Sequence, residues 1–207
     1  MGIDPVSYAV FVGTVLVICI TPGPDMVYIL THGVSQGTKA GVLASFGMSA
    51  GMFCHTLLVA LGVATIVQSS EVAYQVLRYG GAAYLVYLAW QTFRDSSGPD
   101  LDSSHEAVAL PTVFRRAVIV NLLNPKIVLF YLAFLPQFVD SSASRPGLTL
   151  LVLGMTFTVL GLLVDCLIAL LSGQIGRRLR KRPGTSTWLN RLAGVVFLGL
   201  AAKVAIA

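Results

Sequence analysis

The chain is poor in charge: of 207 residues only 11% are Asp, Glu, Lys or Arg, against 56% hydrophobic. Soluble domains carry about 25% charged residues, so an ordinary water-facing exterior is excluded. Its three cysteines are an odd set, too few for a disulfide framework. No phosphate-binding glycine loop, no Cys/His metal spacing and no Ser/His/Asp arrangement can be read. ATP-driven work by this chain alone, a resident metal or other cofactor, and hydrolytic catalysis therefore lack a sequence basis, and an enzyme is not expected. Period-two alternation is missing too, and with it the signature of a β-barrel.

What is present is continuous apolar sequence, with a mean hydropathy of +0.81. A bilayer core of roughly 30 Å takes about 20 apolar residues per helix. Six windows fit: Val6–Leu30, Ala40–Val67, Val72–Phe93, Thr112–Phe138, Gly147–Ser172 and Trp188–Ile206. The expected fold is an all-α membrane protein of six transmembrane helices, because helices satisfy their own backbone where lipid offers no partner. No Lys or Arg precedes the first apolar run and no small-residue cleavage site follows it, so the first segment is expected to stay. Cys19, Cys54 and Cys166 fall inside these windows and are expected to pack in the core.

Basic residues set the orientation. With the N-terminus outside, Lys39, Arg94, Arg115, Arg116, the run from Arg177 to Arg182 and Arg191 fall on the inner side. Only Arg78, Arg145 and Lys203 fall outside, and Lys126 lies within a span. Both termini are expected to face away from the cytoplasm, across a bacterial inner membrane. The run from Arg177 to Arg182 has no interleaved aromatics, so it reads as a topological anchor touching anionic membrane lipids, and no nucleic acid partner is expected.

The polar stretch Asp95–Pro111 divides the chain into residues 1–94 and 112–207, each with three spans, within one integral membrane domain. An odd number of spans inverts the second half relative to the first, so the halves read as inverted three-helix repeats joined by a cytoplasmic linker. The third and sixth spans agree best, with Arg78, Gly81, Tyr84, Leu85 and Ala89 matching Arg191, Gly194, Phe197, Leu198 and Ala202. The second and fifth share a glycine four residues before an ionisable group, Gly51 before His55 and Gly161 before Asp165.

The first and fourth spans share an interruption: Thr21-Pro22-Gly23-Pro24-Asp25 in one and Asn124-Pro125-Lys126 in the other. Proline removes a backbone donor and clashes with the carbonyl one turn earlier, so both helices are expected to break. Broken backbone at membrane depth is tolerated only against protein or a cavity, and paired breaks in inverted repeats point to a binding site. A lone break would more often be a packing kink. Here each break is followed by a charge, Asp25 and Lys126, and a charge near the bilayer centre costs at least about 2.5–3.5 kcal/mol. The two can neutralise each other, and Asp25 can take an ammonium and Lys126 a carboxylate, the two ends of an amino acid; the readings are compatible if the empty protein holds the ion pair and the substrate splits it. Thr21 and Asn124 add neutral hydrogen bonds, although Asn124 fits a helix cap equally well. His55 and Asp165 are the remaining titratable groups deep in spans, and both are candidate proton carriers. Gly33, Gly37, Gly41, Gly47 and Gly51 are spaced for close helix approach, which also allows a homodimer.

The TPGPD break, Ser35-Gln36-Gly37, Lys39-Ala40-Gly41, Asn124-Pro125-Lys126, Pro136-Gln137-Phe138 and Arg191 with Gly194 together resemble the LysE/RhtB superfamily across essentially the whole chain. The resemblance implies a secondary exporter of amino acids or their derivatives, an antiporter driven by the proton gradient. The TPGPD setting of Asp25 looks most like the homoserine/threonine-resistance branch. Two rival classes remain beside it: a metal-ion exporter, for which carboxylate or soft ligands around the breaks are scarce, and a transmembrane redox carrier. The redox reading is weakened because Cys19 has no cysteine counterpart in the fourth span.

Overall fold

The computed structural model describes residues 4–63, 71–94, 108–139, 145–172, 174, 191, 194–195, 198–199 and 201–202. Among these, every regular element is helical. Helix α1 spans Pro5–Ile20; the Asp4 carboxylate caps it by accepting the Ser7 N–H at 2.9 Å, and Pro5 opens it. That backbone hydrogen bond holds the exposed Asp4 carboxyl below the usual carboxylate range. After the break, α2 spans Pro24–Ser35 at 52° to α1. Pro24 sits at the start of α2, where its missing N–H costs nothing.

Gly37, at φ 88°, makes the left-handed turn into α3, Thr38–Leu58, which continues through a π turn at Val59–Val63. Helix α4 spans Glu71–Arg94 and α5 spans Leu110–Leu122. The second break leads into α6, Pro125–Leu129, extended by a π turn, Phe130–Phe134, and a 3₁₀ turn, Leu135–Phe138. This second bent pair turns by 48°. Helix α7 spans Pro146–Leu170.

The protein is therefore a helical membrane protein. The α3 segment Thr38–Gly62 and α7, 25 residues each, are long and apolar enough to cross a bilayer unaided. Each bent pair, α1 with α2 and α5 with the segment Pro125–Phe138, is so when taken as one span. Helix α4, with 24 residues, forms where the third span is expected. At about 1.5 Å per residue it is long enough to cross, while its Tyr, Gln and Arg residues leave it less apolar than α1, α3 and α7. The sixth window, Trp188–Ile206, lies mostly outside the described residues; those described there are helical. Helix α5 begins at Leu110 and carries Pro111 in its first turn, so these two residues of the sequence-derived linker are helical; residues 95–107 of it lie outside the described set.

Helix α3 is the centre, packed against α2, α5 and α7. Its glycines permit this: a Cβ on Gly47 would stand 2.6 Å from the Phe114 carbonyl oxygen and the Ala117 Cβ of α5. A Cβ on Gly51 would stand 2.6 Å from Asn121 Oδ1. One apolar cluster gathers Phe11, Tyr131, Phe134 and Phe157; a second gathers Ile29, Leu30, Met48 and Ala117. Outward faces are apolar too, with Leu58, Leu163 and Leu167 exposed, as a hydrocarbon solvent permits. Cys54 belongs to this outer face and Cys19 and Cys166 are only partly covered, so the expectation of three core cysteines is not met. Thiols are apolar enough to suit lipid as well as protein.

Candidate functional site

The two breaks come together. Proline opens the second helix at each of them, Pro24 in α2 and Pro125 in α6, so the two positions are equivalent in local structure. Asp25 follows in the first turn of α2, where the helix dipole favours a negative charge. It is 9% exposed, and both carboxylate oxygens are held from across the chain. Asn121 Nδ2 donates to Oδ2 and Asn124 Nδ2 donates to Oδ1, each at 2.8 Å.

Asn124 is the helix cap, and it also reaches Asp25. Its Oδ1 accepts the Lys126 backbone N–H at 3.0 Å, capping α6, while its Nδ2 holds Asp25. Asn121, one turn earlier in α5, was not singled out by sequence. Its only signal was a second amide in an apolar run, three residues before Asn124.

Lys126 lies at the start of α6, the wrong end of a helix for a cation. Its ammonium compensates by reaching the closing carbonyls of α1: Nζ donates to Thr21 O at 3.2 Å and to Ile18 O at 3.4 Å. The C-terminal end of α1 thus receives a positive charge where its dipole favours one. Thr21 turns its own hydroxyl back to the Val17 carbonyl at 2.7 Å, so its backbone carbonyl, not its hydroxyl, serves the lysine. Gly23 leaves room for this side chain, since a Cβ there would stand 2.9 Å from Lys126 Nζ. Asp25 and Lys126 line the same cavity but form no direct ion pair in this structure, and each is held by neutral hydrogen-bond partners.

Both charges face one cavity of about 20 Å³. Thr21, Asp25, Lys126 and Asp165 form its polar side, and Ile18, Met52, Ile127 and Phe157 its apolar side. Room of that size holds about one water, far less than an amino acid. Asp165 is 7% exposed and lines the cavity, yet no described residue donates a hydrogen bond to it. The two carboxyl groups thus sit in opposite settings, one gripped by two amides and the other given no donor.

His55 is not brought to this cavity. It lies buried beside Tyr131, ring centroids 5.6 Å apart, and its Nε2 has no hydrogen-bond partner. One turn beyond the cavity wall, the Tyr131 hydroxyl meets Thr56 Oγ1 at 3.1 Å and Thr158 Oγ1 at 3.3 Å, a buried cluster that sequence did not suggest. Among the described residues no three His, Cys, Asp or Glu side chains gather as a metal site would require.

The family model for the LysE type translocator matches residues 16–207. The chain belongs to the LysE type translocator family. This translocator is 33% identical over 194 residues to an uncharacterized membrane protein of Vibrio cholerae, covering 94% of each chain. It is 32% identical to a leucine efflux protein of Klebsiella pneumoniae, over 94% of this chain and 92% of that one. It is 31% identical to a leucine efflux protein of Enterobacter sp., over 91% of this chain and 90% of that one. No solved structure matches it significantly. A translocator moves its substrate and performs no enzymatic conversion, and its setting is a multi-pass cell membrane.

Proposed function

We propose that this translocator exports amino acids from the bacterial cytoplasm by proton antiport, with Asp25 receiving the substrate ammonium and Lys126 its carboxylate. The observation that carries the reading is the pair of opposite charges, without a direct ion pair between them, on one small cavity. Each keeps hydrogen-bonding capacity. A carboxylate offers about four lone-pair positions and an ammonium three donors. Two positions of Asp25 are taken by the asparagines and two donors of Lys126 by carbonyls, which leaves both ends able to take a substrate group. Membership of the family and relatives named leucine efflux proteins support an amino-acid substrate.

Asp165 is the proton carrier in this reading. A buried carboxylate with no donor is costly as an anion, so it exchanges a proton when the cavity opens. Substrate and proton then alternate on neighbouring groups. His55 has no such access.

The architecture proposed around this site is two inverted three-helix repeats, residues 1–94 and 112–207, both termini outside. Bent pairs at equivalent prolines support the symmetry of the first and fourth spans. Because the cavity is too small for an amino acid, transport requires one half to move against the other, exposing the site to each side in turn. The test is efflux from proteoliposomes loaded with single amino acids, with and without a pH gradient. Acceleration of at least one amino acid by an inward proton gradient is expected. Failure of every amino acid to leave overturns the substrate class, and indifference to the gradient overturns the antiport.

A further inference from the structure

The cavity has a polar and an apolar wall, and α7 contributes to both. Asp165, Gly161 and Phe157 follow one another at four-residue spacing on the cavity-lining face of α7, a stripe that rises about 12 Å. Asp165 stands at the end where Asp25 and Lys126 act on it electrostatically. The apolar part of the cavity wall includes Phe157, Met52, Ile18 and Ile127. A zwitterion held by its charged groups on the polar side leaves its side chain against this apolar wall.

At the middle of the stripe, Gly161 lets Met52 lie directly on the α7 backbone. A Cβ there would stand 2.8 Å from Met52 Cε, 3.0 Å from Met52 Sδ and 3.9 Å from Cys19 Sγ. Met52 is 3% exposed, and its unbranched thioether is the adaptable element of this wall. The bare backbone of Gly161 is what gives it room to lie against α7. We propose that Met52 and Gly161 form the side-chain recess of the substrate site and select aliphatic amino acids by size. This rests on the reading that Asp25 and Lys126 bind the substrate backbone. A charged side chain against this apolar wall would be buried without a partner, and an aromatic one needs more room beside Met52 than an aliphatic one.

The experiment compares counterflow of leucine, alanine, phenylalanine, lysine and glutamate by wild-type protein, Gly161→Ala and Met52→Ala in proteoliposomes. Wild type is expected to prefer leucine. Gly161→Ala pushes Met52 into the recess and lowers leucine relative to alanine by roughly tenfold, the selectivity that a methylene-sized change in an apolar pocket supports. Met52→Ala enlarges the recess and raises phenylalanine relative to leucine by a similar factor. Where Gly161→Ala fails to insert, Met52→Ala and Met52→Leu carry the comparison. Preference of wild type for lysine or glutamate, or equal loss of all substrates in the variants, overturns the recess while leaving amino-acid export standing. Absence of counterflow with any amino acid overturns the parent reading instead, and the recess falls with it.

Discussion

Asn124 ties its own helix start to Asp25: its Nδ2 donates to Asp25 Oδ1 at 2.8 Å while its Oδ1 accepts the Lys126 N–H at 3.0 Å. One amide therefore orients the acidic group and the basic residue at once. Asn124→Ala is expected to leave a buried carboxylate with one donor fewer and α6 without its cap. A hydrogen bond to a charged group is worth about 1.5–3 kcal/mol and a cap about 1. Unfolding in detergent should show a loss of roughly 2–4 kcal/mol, and export should fall at least tenfold. Asn121→Ala removes only the Asp25 bond and should cost less. Equal stability of Asn124→Ala and wild type would show that the tie is dispensable.

Lys126→Ala is expected to abolish export while the protein still inserts. Deleting the ammonium frees the Thr21 and Ile18 carbonyls, which stand at the C-terminal end of α1, but creates no unpaired buried charge because Asp25 is held separately. Lys126→Arg should not restore transport, since a planar guanidinium differs in shape and hydrogen-bond geometry from an ammonium beside Gly23. Membrane yield checked together with efflux separates the two effects. Normal export by Lys126→Ala would remove this residue from the site.

How far these features could be read in advance depends on whether their cause is local. The breaks were legible because proline acts on its own turn: Pro24 and Pro125 open helices as expected. Asp25 and Lys126 were legible as charges with no place in lipid. Their partners were not, because Asn121 reaches Asp25 only through the packing of α5 across the first break. Met52 and Phe157 read as ordinary apolar core residues, and only the approach of α3 to α7 at Gly161 gives them a cavity. Cys54 shows the converse, since nothing in an apolar window tells which face meets lipid.

Asp165→Asn is expected to separate movement from its driving force. The amide matches the carboxylic acid in size and is permanently neutral, so it preserves the shape of the cavity but carries no proton. Downhill efflux should continue, whereas the acceleration by an inward proton gradient should disappear. External acidification should speed wild-type efflux, because protonation of the outward-facing site accompanies release, and should leave the variant unchanged. Gradient-driven efflux by Asp165→Asn equal to wild type would shift the proton to Asp25.

Gly47→Ala and Gly13→Ala form a matched pair that tests whether α3 depends on its glycines. Both remove the backbone freedom of a helical glycine, which alone favours alanine by roughly 0.5–1 kcal/mol. Around Gly13 there is nothing within 4 Å of an added Cβ, so that gain stands unopposed. At Gly47 the added carbon meets the Phe114 carbonyl oxygen and the Ala117 Cβ at 2.6 Å each, backbone and a short side chain that cannot rotate away. Helix α5 must then move off α3, at a cost of about 1–3 kcal/mol for overpacking. The same shift would carry Asn121 away from Asp25, since both contacts lie on the α5 face toward the breaks. Thermal unfolding should rank Gly13→Ala at or above wild type and Gly47→Ala below it, with export reduced only in the second. Equal stability of the two variants would show that α3 and α5 can separate freely, and the asparagine grip on Asp25 would then not depend on their contact.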